Sequence, residues 1–253
     1  MYINKYVKII LLIFSFILII FSFKRFNGEK IVFYSEICNY PMLWLHAAGS
    51  KERLKYAVEN KYCGVEIDTT YSTERGLIAS YNNPDDKNAQ NIDELIKDNF
   101  HIRYWWLDLK NLNNTNAREI SELINRLSMI HTRNIFFIES HNFIGLWFLK
   151  TKLKGIYKVY WLSKGPNKNN QIHWKTPLYY LRSILANMII DPDFVSMFHY
   201  QVGNFDYLWV GNRQRFAFTV NTNNDYQLIT DMGVEIILTD DLKITNNNDK
   251  IVE

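Results

Sequence analysis

The stretch Gly64-Val65-Glu66-Ile67-Asp68, read with Trp44-Leu45-His46 before it, decides how this chain folds. Each is a short apolar run that closes on ionisable side chains, and a helical stretch separates the two. Side chains two positions apart on a strand face the same side, so Glu66 and Asp68 point together. Two carboxylates held that close repel unless a cation or a proton lies between them. His46 adds a group that titrates near neutral pH. Together the two strand ends read as a hard-cation site with a general acid or base beside it; either one alone is an ordinary solvated strand end.

Working outward, the same alternation repeats along the chain. Strands are expected at Leu43–His46, Val65–Asp68, Tyr104–Leu109, Ile135–Ile138, Lys158–Leu162, Phe194–Phe198, Arg215–Val220 and Glu235–Leu238, with a hairpin-like piece at Leu77–Tyr81. Helices are expected at Ser50–Asn60, Ile92–Asp98, Asn116–Ile130, Gly145–Lys152, Pro177–Met188 and Asp225–Met232, and a short aromatic one at Phe205–Val210. Ile120, Leu123, Ile124 and Leu127 show the i, i+3, i+4, i+7 spacing of an amphipathic helix. Tyr104–Leu109 is apolar on both faces, as a parallel strand buried between helices is. Strands alternating with helices in this way predict a closed (β/α)8, or TIM, barrel. No Gly-x-Gly-x-x-Gly turn follows the first strand, which disfavours an open dinucleotide-binding sheet. In a barrel the strand carboxyl ends converge on one face, and here they carry His46, Glu66, Asp68, Asp108, Lys110, Glu139, His141, His199, Asn221 and Asp240. Tyr104-Trp105-Trp106 is assigned to the core in preference to a stacking platform.

The amino terminus differs in kind. From Ile9 to Phe23 every residue is apolar except Ser15 and Ser22, with Lys5 and Lys8 before the run and Lys24 and Arg25 after it. No small-residue cleavage site follows, so the run reads as an uncleaved transmembrane helix. The expected organisation is a membrane anchor over 1–26, a linker over 27–42, the barrel over 43–244 and a disordered tail over 245–253. An anchor of this kind usually leaves the globular part outside the cytoplasm. The net charge of +3 is small and no basic run is interleaved with aromatics, so nucleic acid is excluded as a partner. Cys38 and Cys63 have no metal-binding spacing; they form one disulfide or stay as thiols, and buried free thiols are the favoured reading.

Four segments stand in order between Trp44 and Asp241. They are His46-Ala47-Ala48-Gly49-Ser50, Gly64–Asp68, Leu107-Asp108-Leu109-Lys110, and the pair Phe218-Thr219-Val220-Asn221 and Ile237-Leu238-Thr239-Asp240 with Met232-Gly233-Val234 between. In these the chain resembles the PLC-like phosphodiesterase superfamily and, within it, the glycerophosphodiester phosphodiesterases. The first stands where that family has a His-Arg-Gly turn, the second matches its Glu-x-Asp strand end, and the third is closest to the Asp-x-Lys form of sphingomyelinase-D-like relatives. The resemblance implies a barrel that cleaves phosphodiesters, a glycerophosphodiester or a phospholipid-related compound with its lipid head group, using one divalent cation. Glu66, Asp68 and Asp108 would hold the Mg²⁺ or Ca²⁺. Lys110 would contact a phosphate oxygen or orient Asp108, and His46 would be the general acid or base.

The chain also departs from the pattern. Where the family has a second catalytic histidine, Ser80-Tyr81-Asn82-Asn83-Pro84 offers Asn82, and the first turn has Ala47 in place of arginine. The missing proton carrier is replaced by His141 or His199, by the substrate, or not at all. His141 is preferred, because alternation turns Glu139 and His141 to one side of their strand. If nothing replaces it, the chain is a barrel that binds without turnover, an envelope or polysaccharide-assembly protein. A glycosidase pairing Glu139 with Glu66 or Asp68 leaves Lys110 and the adjacent carboxylates unused. His101, His131 and His173 are expected at the surface without partners.

Overall fold

The computed structural model describes residues 42–162, 189–203 and 213–241, with single positions 15, 185 and 186. The expected anchor, linker and tail, most of the helix at 177–188 and the short helix at 205–210 lie outside the described residues. Among the described residues no helix is long and apolar enough to cross a membrane.

Nine strands form the sheet: β1 (Met42–Leu45), β2 (Gly64–Ser72), β3 (Gly76–Ala79), β4 (Tyr104–Leu109), β5 (Ile135–Ser140), β6 (Tyr157–Trp161), β7 (Phe194–Phe198), β8 (Gln214–Phe218) and β9 (Ile236–Thr239). All but β3 run parallel, each paired with the next, and β1 pairs with both β2 and β9 to close the ring. The expected eight-stranded barrel is therefore what forms, with β3 added antiparallel along β2. Five described helices cover it: α1 (Lys51–Glu59), α2 (Ile92–Asp98), α3 (Ala117–Ile130), α4 (Phe143–Lys150) and α5 (Asn223–Asp231). Side-chain oxygens of Ser50, Asn91, Asn142 and Thr222 each accept a backbone N–H of the first turn of α1, α2, α4 and α5, so four helices are capped just beyond a strand or loop end. These caps account for the shifted starts: Asn142 begins α4 at Phe143 and Thr222 begins α5 at Asn223, each two residues before the expected position.

The core has two apolar layers. One lies between strands and helices; the other fills the barrel itself and is aromatic, with Trp44, Tyr104, Trp106, Phe137, Phe194 and Phe216 all buried. Ring centroids stand 4.7 Å apart for Trp106 and Phe216 and 5.1 Å for Trp44 and Phe137, within the range of favourable aromatic pairs. Gly64 makes room for this packing, since a Cβ there would lie 2.7 Å from the Trp44 ring. On β1, β4, β5 and β7 these rings stand two positions before His46, Asp108, Glu139 and Ser196, so they are the floor on which the carboxyl-end face is built.

Three expectations need correction. Strand β2 does not end at Asp68 but runs on to Ser72, because its last residues pair with β3, Thr69 opposite Ala79 and Ser72 opposite Gly76. Cys63 is disulfide-bonded, not a free thiol. His131 is not an unpartnered surface histidine: its side chain is 12% exposed and its Nε2 lies 2.8 Å from Asp93 Oδ1, tying the end of α3 to the start of α2.

Candidate active site

The register of three neighbouring strands assembles the acids. Asp68 on β2 lies opposite Asp108 on β4, and Asp108 lies opposite Glu139 on β5. Paired residues of parallel strands face the same side, so these three carboxyls form a row, and Glu66 stands one pleat below Asp68. Oxygens of Glu66, Asp68 and Asp108 all lie within 4.8 Å of one another. Asp108 Oδ1 is buried and has no hydrogen-bond partner among the described residues. An orphaned carboxylate oxygen beside two more acids is the donor set a hard cation takes.

Lys110 Nζ lies 2.5 Å from Asp68 Oδ1 and also donates to Asp108 Oδ2, and it stands 4.9 Å from the Tyr81 ring centre. Burial alone would lower its pKa, but the Asp108 and Asp68 charges outweigh that and the net shift is upward, so the ammonium stays charged. Burial pushes Glu66 up to about 7; the His46 charge works against the rise, Asp68 and Asp108 add to it, and the Ala47 N–H works against it. Asp108 is raised by burial in spite of Lys110. Glu139 is raised well above the carboxylate range by burial and then by the Asp108 charge, although the Ser196 hydroxyl donates to it.

His46 follows β1 at the barrel's seam. Its Nδ1 lies 2.8 Å from Asp240 Oδ1, and its Nε2 lies 3.8 Å from Glu66 Oε2. A carboxylate at Nδ1 makes that nitrogen the donor and leaves Nε2 to accept or give a proton. Asp240 Oδ2 in turn accepts from Asn221 Nδ2 at 2.7 Å, and Asn221 Oδ1 accepts from the Asp240 N–H at 2.9 Å. Burial would raise the Asp240 pKa, but hydrogen bonds from His46 and Asn221 bring it down, so it stays ionised. Arg53 Nη2, from α1, donates to the His46 carbonyl at 2.8 Å and the Asp240 carbonyl at 3.0 Å. The Ala47 N–H donates to Glu66 Oε2 at 2.8 Å, with Ala47 held at φ +52°, in the left-handed region that costs a residue with a Cβ.

Of the site residues expected from sequence, His46, Glu66, Asp68, Asp108 and Lys110 meet at one rim through the contacts above. His141 is exposed on the same rim, its ring edge-on to Trp161 at 6.1 Å, and its charge acts to lower the Asp108 pKa. Asn82 is exposed in the loop after β3. Asp240 and Asn221 were legible as strand-end groups, but nothing in the sequence tied Asp240 to His46, 194 positions away. Only barrel closure does that. Arg53 gave no signal, because it acts on backbone carbonyls.

Solved structures share this architecture. A phosphodiesterase from Oleispira antarctica in complex with the product sn-glycerol-3-phosphate is 15% identical and superimposes with a TM-score of 0.57 over 79% of this chain and 93% of its own. For a glycerophosphodiester phosphodiesterase from Parabacteroides distasonis the values are 13%, 0.60, 80% and 94%. For a calcium-dependent phosphoinositol-specific phospholipase C from Pseudomonas sp. they are 7%, 0.55, 81% and 91%. The chain has the barrel fold of the PLC-like phosphodiesterases, and at these identities the likeness is one of fold. No family model and no curated protein matches its sequence.

Proposed function

We propose that this chain is a membrane-anchored, cation-dependent phosphodiesterase acting on a glycerophosphodiester or a phospholipid-related compound. The observation that carries this reading is the convergence of Glu66, Asp68 and the orphaned Asp108 oxygen beside His46, on a fold whose solved examples include phosphodiesterases. Glu66, Asp68 and Asp108 would hold a Mg²⁺ or Ca²⁺ ion. When bound, such an ion supplies positive charge that polarises the phosphoryl oxygens.

The chain's own residues do the rest. Lys110, kept charged by Asp68 and Asp108, presents its ammonium to a phosphate oxygen. His46, with Nδ1 fixed by Asp240, moves a proton at Nε2. In hydrolysis the water oxygen bonds to phosphorus, one ester P–O bond breaks, one imidazole takes the water's proton and another gives a proton to the leaving oxygen. His141, just beyond the end of β5, is the second imidazole in this scheme. The Cys63 disulfide supports placing the barrel outside the cytoplasm, where disulfides persist, with the apolar run at Ile9–Phe23 as its anchor.

Asn82, standing where the family carries histidine, favours a second reading in which the barrel binds such compounds without turnover. One assay separates the two: hydrolysis of glycerophosphodiesters by the full chain in detergent micelles, with Ca²⁺ or Mg²⁺ and with chelator. The expected result is cation-dependent release of product, lowered about 10²–10⁴-fold by His46→Ala and made insensitive to added cation by Glu66→Ala. Activity that survives both substitutions places the chemistry elsewhere, and a folded, cation-binding but inert protein selects the second reading.

A further inference from the structure

The amino ends of the strands, and the turns that lead into them, form the barrel face opposite the site. The turns into β2, β4, β5 and β6 span positions 60–63, 99–103, 131–134 and 151–156, and they carry Lys61, Arg103, Arg133, Lys152 and Lys154 but no aspartate or glutamate. All five cations are exposed. The acids at the adjoining helix ends are already answered, Glu59 by Lys55 at 3.7 Å and Asp98 by Lys51 at 2.8 Å. Large apolar side chains stand among the cations: Phe100 is 64% exposed, and Met129 and Ile130, which end α3, are 71% and 57% exposed. Hydrogen bonds join these turns into one surface. Asn134 Nδ2 donates to the Ile102 carbonyl at 2.7 Å, the Ile135 N–H to the Arg103 carbonyl at 2.8 Å, and Asn125 Nδ2 to the Lys152 carbonyl at 3.2 Å. Met42 opens β1 on this same face, so the apolar run Ile9–Phe23 is joined to the barrel from this side.

We propose that this amino-end patch docks on the surface of an anionic bilayer, so that the barrel mouth opens away from the lipid and takes its phosphodiester from solution. The proposal rests on the anchored-phosphodiesterase reading and adds to it a docking surface and the side from which substrate arrives. Cations clustered without acids are drawn to anionic head groups over about a Debye length. Phe100, Met129 and Ile130, exposed beside those cations, match the apolar tips that a surface-bound protein sinks between head groups. The tether supplies proximity: positions 27–41 span at most about 50 Å when fully extended, which keeps the patch at high effective concentration over its own membrane. Charge sets the orientation as well. Asp68, Asp108 and Asp240 stand at the opposite mouth, which an anionic surface repels.

The test reads orientation, so that it does not depend on turnover. The full chain is reconstituted in vesicles of phosphatidylcholine alone or in an equal mixture with phosphatidylglycerol. An environment-sensitive dye is attached to a cysteine introduced by Met129→Cys, on the patch, or by Lys87→Cys, exposed in the loop after β3 on the mouth side. In the anionic vesicles the dye at position 129 should shift its emission to the blue and be quenched by spin-labelled lipid, while the dye at position 87 does neither. Combining Arg133→Glu, Lys152→Glu and Lys154→Glu, all at exposed positions, should abolish both signals. Quenching at position 87 in place of 129 overturns the proposal by putting the mouth on the membrane. Quenching at neither position overturns it in favour of a protein partner for the patch. A signal that ignores phosphatidylglycerol, or survives the triple charge reversal, overturns it too. A protein that docks but is inert in the hydrolysis assay sinks the catalytic reading alone. A chain that alkaline carbonate strips from the vesicles sinks the anchor alone; docking is then read by co-sedimentation, and binding that does not depend on phosphatidylglycerol overturns it.

Discussion

The two halves of the barrel mouth are built on the same backbone plan and differ in what the strands carry. On β2 and β4 the inward positions at the rim are Asp68 and Asp108; on β6, β7 and β8 they are Trp161, Phe198 and Phe218. The acidic half accumulates like charge in a buried setting, which raises the pKa of Glu66, Asp108 and Glu139 and is relieved in part by Lys110. The aromatic half carries no such charge. A parallel barrel can therefore keep a charged centre and an uncharged aromatic wall on opposite arcs of one rim.

If the arcs do divide the work, Asp240→Asn should lower turnover by about 10–100-fold, since the partner that fixes the imidazole tautomer is lost, with KM close to wild type. Trp161→Phe should act mainly on KM. Steady-state kinetics checks this, and an equal kcat and KM split in both variants breaks the division.

A second, smaller effect belongs to the acidic arc alone. Glu66 is pushed from an ordinary 4.5 up to about 7, so without a cation the folded protein holds a proton that the unfolded chain has released. Stability is then lost as pH rises through that window, and cation binding, which needs the carboxylate, grows over the same window. Thermal melts with Ca²⁺ and with chelator should show a larger Ca²⁺ increment at pH 8 than at pH 5; a flat increment rules out Glu66 as a ligand. The smallest effect concerns Glu139, whose burial favours the protonated form over the carboxylate. Glu139→Gln preserves the acceptor for Ser196 and has no proton to lose, so it should match wild type within about 1 kcal/mol near pH 6 and gain on it as pH rises. Urea unfolding at pH 6 and pH 9 measures this, and a difference that stays flat between them would mean a Glu139 already ionised at pH 6.

Much of this arrangement was legible because a barrel repeats one unit. Apolar runs of strand length, separated by helical spacing, located every parallel strand, and alternation brought Glu66 and Asp68 to one side. The limits were physical too. β2 was read short because Thr69–Ser72 are held by β3, a partner that local periodicity does not reveal. Asp240 was visible but unassigned, because its role depends on which strand lies beside β1, and ring closure sets that. His131 looked solitary because Asp93 reaches it from another helix. Cys63 was read as a thiol because two cysteines without motif spacing leave pairing open.

Closure of the ring has a consequence for how the protein comes to life. His46 acquires its carboxylate from Asp240, and Arg53 clasps the carbonyls of both, so the first and last staves meet at the working group. A nascent chain emerging from the ribosome has the histidine once β1 is made but gains its companion only after β9. Competence thus waits for the closing strand of the barrel, and a product cut short before Asp240 would carry the acid row yet lack a tuned imidazole.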